Sequence, residues 1–336
     1  MWRSINRRES STPARIVAAR AALAACVLAL AGAACDADPG PSERGTPVAT
    51  SSHGGRWVTR APIPTPRSEV GVAAVGDRVY VVGGFGGTNV NEEYDPATDR
   101  WRARAPLPRG VHHPGVAGIG GKLYVVGGYA DPGGQPTARL LEYDPARDAW
   151  RERAPMPTAR AALGVAVVGG RLYAIGGVSG GDVGANEVYD PTSDRWRGLA
   201  AMPTPRDHLG VTVLGGRIYA IGGRAGSLAR NLEMNQEYDP ATDSWRERAP
   251  LPTPRSGIAA AAVGGRVFVF GGEQPSGTFE QNEGYDARAD AWASFAPMPT
   301  ARHGIGAAVL DGTIYIPAGG PTPGGSQTER HEAFTP

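Results

Sequence analysis

The heptapeptide Arg78-Val79-Tyr80-Val81-Val82-Gly83-Gly84 does not stand alone in the chain. Close copies place their first glycine at Gly127, Gly176, Gly222 and Gly271. A degenerate sixth, Tyr315-Ile316-Pro317-Ala318-Gly319, puts Ala318 in that place. The steps are 44, 49, 46, 49 and 47 residues, the spacing of repeats that each form one small structural unit. A Tyr-Asp-Pro block follows at Tyr94, Tyr143, Tyr189 and Tyr238, with Tyr285-Asp286-Ala287 and Phe334-Thr335-Pro336 as variants. Seven residues after each of the first five aromatics comes Trp101, Trp150, Trp196, Trp245 or Trp292. Seven further on stands Pro108, Pro157, Pro203, Pro252 or Pro299, and Trp57 and Pro64 keep that last spacing with no repeat before them.

Each unit reads as four antiparallel strands, a to d. Strand a is an apolar run such as residues 70–75. It turns at Gly76-Asp77, Gly120-Gly121, Gly169-Gly170, Gly215-Gly216, Gly264-Gly265 or Asp311-Gly312, the dipeptides of two-residue hairpins. Strand b ends in the double glycine, and strand c ends at Tyr-Asp-Pro, which suits a type I turn into strand d. A sheet of this size cannot bury both faces alone, so the units stack radially, giving an all-β, six-bladed propeller. Trp57 begins a lone strand d, while the C-terminal repeat lacks one. The N-terminal strand therefore completes the last blade and closes the ring.

The double glycine, Tyr-Asp-Pro and spaced tryptophan resemble kelch repeats over residues 56–336. The resemblance implies a propeller of four-stranded blades in which the glycines allow close packing and the tryptophan packs between blades. Pro317 departs from the pattern, since proline does not fit a central strand, and implies an irregular sixth blade.

The remaining sequence limits the function. Residues 1–34 read as a signal peptide, with Arg3, Arg7, Arg8, Arg15 and Arg20 ahead of an apolar run from Ala21 to Ala34. Arg7-Arg8 alone do not make a twin-arginine signal, because polar Glu9-Ser10-Ser11 follows. Gly32-Ala33-Ala34-Cys35 resembles a lipoprotein box and makes Cys35 the lipidation site. Cys26 fits the box too but has only five apolar residues behind Arg20. Ordinary cleavage near Ala33 or Ala34 is the alternative. Residues 35–55, rich in Pro, Ser, Gly and Thr, form a flexible tether. Beyond the signal, 29 basic and 32 acidic residues leave a net −3, which excludes a nucleic-acid footprint. No cysteine follows Cys35, so disulfides and cysteine nucleophiles are absent from the propeller. Galactose oxidase, which the repeats also resemble, needs a cysteine-crosslinked tyrosine for its copper, so that activity is excluded.

All length variation falls on one face, that of the d–a and b–c loops. The stretch from the double glycine to the strand-c aromatic holds 9, 14, 11, 14, 12 and 14 residues, whereas the opposite turns are constant. Variable loops on a rigid frame are where binding concentrates. Twelve residues before each strand-b aromatic stand Ser68, His112, Ala161, Asp207, Ser256 and His303. Eleven before stand Glu69, His113, Ala162, His208, Gly257 and Gly304. The candidate binding residues are therefore Ser68, Glu69, His112, His113, Asp207, His208, Ser256 and His303. Phe85, Tyr129, Arg224 and Glu273, which follow the double glycines, join them. Histidines of alternate blades meet at one metal only if the channel is very narrow, and no metal or other cofactor is expected. One slot earlier, Arg67, Val111, Arg160, Arg206, Arg255 and Arg302 match Glu92, Leu141, Glu187, Gln236, Glu283 and Glu332 two residues before the strand-c aromatic. The blade without arginine is the one with leucine, which predicts an intrablade Arg–Glu pair.

These features describe an exported, lipid-anchored monomer that binds a protein or glycan through the variable face, touching the membrane only through its lipid. No HExxH and no P-loop motif is present. The alternative is a sugar enzyme resembling the six-bladed sialic acid mutarotase, whose long loop insertions this chain lacks.

Overall fold

The computed structural model describes residues 54–131 and 133–336. The signal peptide, Cys26, Cys35 and nearly all of the tether lie outside the described residues. No helix occurs among those described, and six four-stranded antiparallel sheets make six blades. Blade one runs a (Gly71–Val75), b (Arg78–Val82), c (Asn91–Asp95) and d (Arg100–Ala103). Blades two to five repeat that order. Blade six takes a, b and c from Ala308–Leu310, Thr313–Pro317 and His331–Thr335, and d from Arg56–Thr59. The closing pair is antiparallel and puts Trp57 opposite Phe334.

The a–b turns show why glycine recurs there. In five of them both central residues have positive φ, the type I′ arrangement that suits the twist of the strands. In blade one only Gly76 does, at 60°, so Asp77 is spared a left-handed backbone. Pro317 is accommodated as the last residue of its strand, opposite His331. Its missing N–H faces strand a, which begins only at Ala308, so the irregularity expected of blade six is a shortened strand a.

The core lies between the blades, in six apolar clusters that each span one junction. Polar clasps lock the same junctions. Each tryptophan stacks on its own blade's aromatic, as Trp101 does on Tyr94 at 5.0 Å. Its indole N–H donates to an alanine carbonyl of the adjoining blade, with Ala61, Ala105, Ala154, Ala200, Ala249 and Ala296 accepting at 2.8–2.9 Å. In five cases an aspartate five residues after the tyrosine accepts that alanine's N–H, as Asp194 does from Ala154 at 3.0 Å. The same carboxylate also accepts the tyrosine hydroxyl.

The double glycines contribute a continuous belt. The second glycine's N–H donates to the carbonyl of the arginine-column residue in the next blade, and all six bonds, Gly319 to Arg67 included, measure 2.7–3.0 Å. A Cβ on Gly84 would sit 2.4 Å from the Ser68 carbonyl oxygen, and φ there is 98°. Ala318 adopts φ 63° in a slot the other blades give to glycine.

The arginine column is paired within each blade. Arg67, Arg160, Arg206, Arg255 and Arg302 are all 0 % exposed. Arg67 meets Glu92 at 2.6 Å, Arg160 meets Glu187 at 2.8 Å, Arg302 meets Glu332 at 2.5 Å, and Arg255 pairs with Glu283. Arg206 donates to Gln236, which donates in turn to Glu247, so the carboxylate acts at one remove. Burial pulls Arg67 and Arg206 down to about 10, still charged at neutral pH. Each guanidinium also reaches strand-b carbonyls, as Arg160 does at Gly176 and Ala174.

Three outcomes follow from this packing. Deleting residues 56–64 removes the Trp57 clasp and exposes a strand edge, and should lower the melting temperature by roughly 10 °C or more in calorimetry. Glu187→Leu strands a buried charge and should cost about 3–5 kcal/mol by urea unfolding. Adding Arg160→Val, which copies Val111 and Leu141 of blade two, should recover part of that loss, and strict additivity would refute the pairing. The third concerns His331, buried against Tyr94 at 4.4 Å and held down to about 3, chiefly by burial. Its folded value lies below its unfolded one. It therefore contributes full stability above about pH 6.5 and removes about 1.4 kcal/mol per pH unit as the pH falls toward 3. His331→Gln should flatten the urea midpoint over that window.

Candidate functional site

The axial end of the d–a loops is a closed backbone ring. Glu69, His113, Ala162, His208, Gly257 and Gly304, one from each blade, all have left-handed φ between 52° and 68°. Each N–H donates to the carbonyl of its counterpart in the preceding blade. The chain of bonds from His113 to Glu69 round to Glu69 from Gly304 measures 2.8–3.0 Å throughout. Four of these residues are not glycine, and each bears a left-handed penalty of about 1–2 kcal/mol. The ring hydrogen bonds and the packing beneath over-determine the conformation.

So tight a ring throws its side chains together. Glu69 lies between histidines of blades two, four and six. His113 Nε2 is 3.2 Å from one carboxylate oxygen, with His208 Nε2 at 4.0 Å, and His303 Nδ1 is 3.2 Å from the other. The narrow channel that sequence reasoning set as the condition for alternate blades to converge is therefore present. Burial pushes His113 down to about 3 and His208 to about 4, so both rings are neutral at pH 7. Burial raises the Glu69 carboxyl, but the surrounding His113, His303 and His208 outweigh it and hold it well below the usual range.

A second set joins from the b–c loops. Arg224 Nη1 donates to Glu273 Oε1 at 2.9 Å and Nη2 to His208 Nε2 at 2.9 Å, with Nε 3.2 Å from Asp207 Oδ1. His208 Nδ1 donates to Asp207. Asp182, pushed up to about 6 by burial and a hydrogen bond with Asp207, completes this corner. Close to it, Phe85, His112 and Tyr129 stack in sequence, with centroids 4.3 and 5.2 Å apart.

The two residue sets singled out in the sequence are brought together pairwise. Ser68 bridges Phe85, His112 pairs with Tyr129, Asp207 with Arg224, and Ser256 with Glu273. They do not all form a rim. Ser68, Ser256 and His303 are fully buried, Glu69, Asp207 and Glu273 nearly so, and His113 and His208 almost enclosed. Phe85, His112, Tyr129 and Arg224 are the partly exposed members, the Arg224 side chain at 18 %. Asp182, Thr322 and Gly324 belong to the cluster but lie in loops of variable length, where counting from a repeat landmark does not reach them.

Beneath the ring, a cavity of about 380 Å³ runs along the axis, walled by strand-a residues such as Val72, Val116, Val165 and Val211 and capped by Glu69, His113 and His208. Two groups of possible metal donors occur among the described residues, Glu69 with His113 and His208, and Glu69 with Glu273 and His303.

No curated protein matches the chain. Among solved structures, that of YjhT superposes with a TM-score of 0.72 at 19 % identity, covering 82 % of this chain and 97 % of that one. At that identity the likeness shows the fold alone. The Kelch motif matches residues 66–108, 111–157, 159–203 and 205–252, together more than half of the sequence and in phase with blade repeats that continue to the C-terminus. The chain belongs to the Kelch motif family.

Proposed function

We propose that the protein is an exported, lipid-anchored kelch propeller that captures a protein or glycan ligand on its d–a/b–c face. The observation that carries this reading is the coincidence of Phe85, His112, Tyr129 and Arg224, partly exposed, around a charged axial cluster. Aromatic rings and arginine at the centre of a contact dominate binding energy, and flat rings also stack against sugar faces. The opposite face offers constant two-residue turns. Export rests on the arginine-led apolar segment before Cys35, and the anchor on Cys35 itself.

A carbohydrate-active reading of the mutarotase or epimerase type is favoured by one feature. Asp182, near 6, beside the Asp207–His208 pair places a proton donor and an acceptor together near neutral pH. That chemistry requires a sugar over Tyr129 and Arg224.

Pull-down from envelope extracts with the full chain tests capture. Tyr129→Ala with Phe85→Ala should abolish it with little change in melting temperature, while Lys122→Ala and Thr98→Ala on the far face should leave it intact. The reverse pattern would place the ligand on the wrong face. Incubation with a pure sialic acid anomer, followed by proton NMR, tests the enzyme. Exchange that is faster than the buffer rate and lost in Asp182→Asn would favour catalysis. Palmitate labelling that disappears in Cys35→Ser tests the anchor.

A further inference from the structure

The axial cluster contains a nitrogen with no hydrogen bond. His303 is fully buried. Its Nε2 lies 3.0 Å from the Thr322 carbonyl, which can only accept, so Nε2 carries the proton. That leaves Nδ1, which has no hydrogen-bond partner although it faces two carboxylates, Glu69 Oε1 at 3.2 Å and Glu273 Oε2 at 3.3 Å. Neither oxygen is aligned to accept an N–H from that ring. A neutral imidazole would aim its lone pair between two anions, which is repulsive unless a positive charge lies between them.

We propose that His303 Nδ1, Glu69 and Glu273 hold a divalent transition-metal ion of the zinc type at the axis of the propeller.

The spacing fits. Tetrahedral ligands at the usual Zn–N and Zn–O lengths of about 2.0–2.1 Å lie about 3.3–3.4 Å apart, and the two measured separations from Nδ1 are 3.2 and 3.3 Å. The outer contacts are those that orient metal ligands. The Thr322 carbonyl fixes the His303 tautomer, the Gly324 N–H donates to Glu273 Oε2 at 2.9 Å, and Arg224 holds the other Glu273 oxygen. Charge fits as well. Glu69, Asp207 and Glu273 face one guanidinium, Arg224, so the carboxylates exceed the fixed cations by two negative charges. A proton on His303 would cancel one of them, and a divalent ion cancels two. Nitrogen in the donor set favours zinc over magnesium, which prefers all-oxygen shells. Three protein donors leave a coordination position for water or for a ligand, the pattern of open rather than structural zinc sites. The site does not depend on ligand capture at the face above it, and metal uptake is measured without any such ligand.

The experiment uses the purified full chain, stripped with chelator and titrated calorimetrically with Zn²⁺ and, separately, Mg²⁺. One zinc ion per chain should bind, with magnesium ineffective. Glu69→Gln, Glu273→Gln and His303→Asn should each weaken zinc by roughly 100-fold or more, beyond the 10–100-fold typical of outer-shell changes. Melting curves of the metal-free variants establish that each is folded. Histidine ¹⁵N NMR of the unaltered chain needs no variant: zinc should shift one imidazole whose Nε2 keeps its proton. Failure of the unaltered chain to take up zinc overturns the proposal. So does uptake undiminished in folded Glu69→Gln and His303→Asn, or an NMR spectrum in which zinc moves no histidine of that tautomer.

Discussion

Six peptide groups at the top of the channel set the rest of the molecule. Each N–H can reach the carbonyl of the blade before it only because the residue is left-handed, from Glu69 at φ 53° to Gly257 at 68°. The ring is small enough to bring side chains of alternate blades into contact across the axis. Ala162, Gly257 and Gly304 leave room, and Glu69, His113 and His208 fill it. A strand geometry at these positions would send the same residues outward into separate loops. The local backbone penalty and the convergence of the polar groups are therefore one feature.

Cohesion outside the ring is divided by radius. Near the axis, the double glycines bond to the carbonyls of the neighbouring arginine column. At middle radius, buried guanidiniums tie strand b to strand c within a blade. At the rim, tryptophan and aspartate clasp both backbone groups of one alanine next door. Blade two lacks the middle tie and uses Val111 and Leu141 instead. Its d–a segment pairs with its long b–c loop in a short ribbon, Gly110–His112 with Tyr129–Asp131, that carries the aromatic stack of the candidate face. The one blade without the buried arginine is thus the one that contributes most aromatic surface.

Much of this was legible in the residues. Repeat spacing leads to six blades, and the unmatched Trp57 to the closing strand. The co-occurrence of Val111 with Leu141 leads to the arginine pairs, because constant spacing keeps those slots in register. The Asp–Ala clasps use slots of equally constant spacing along the chain, Asp99 and Ala105 for example, but Asp99 holds Ala61 while Asp148 holds Ala105, and small common residues carry little signal. Legibility fails at the ring. Residue identity does not encode φ for Glu69 or His113, so residues placed on an exposed rim turn out to be under it. It fails again at Asp182 and Thr322, whose loops have no fixed count.

The closing strand also sets an orientation. Arg56, where it begins, lies opposite Thr335, at the end of the blade that carries the tight turns. The first described strand therefore starts on the side opposite the axial cluster. Under the lipid anchor proposed above, the strand nearest the attachment starts among the constant turns, and Tyr129 and Arg224 lie on the other face. The surface that varies from blade to blade is then left clear of the attachment.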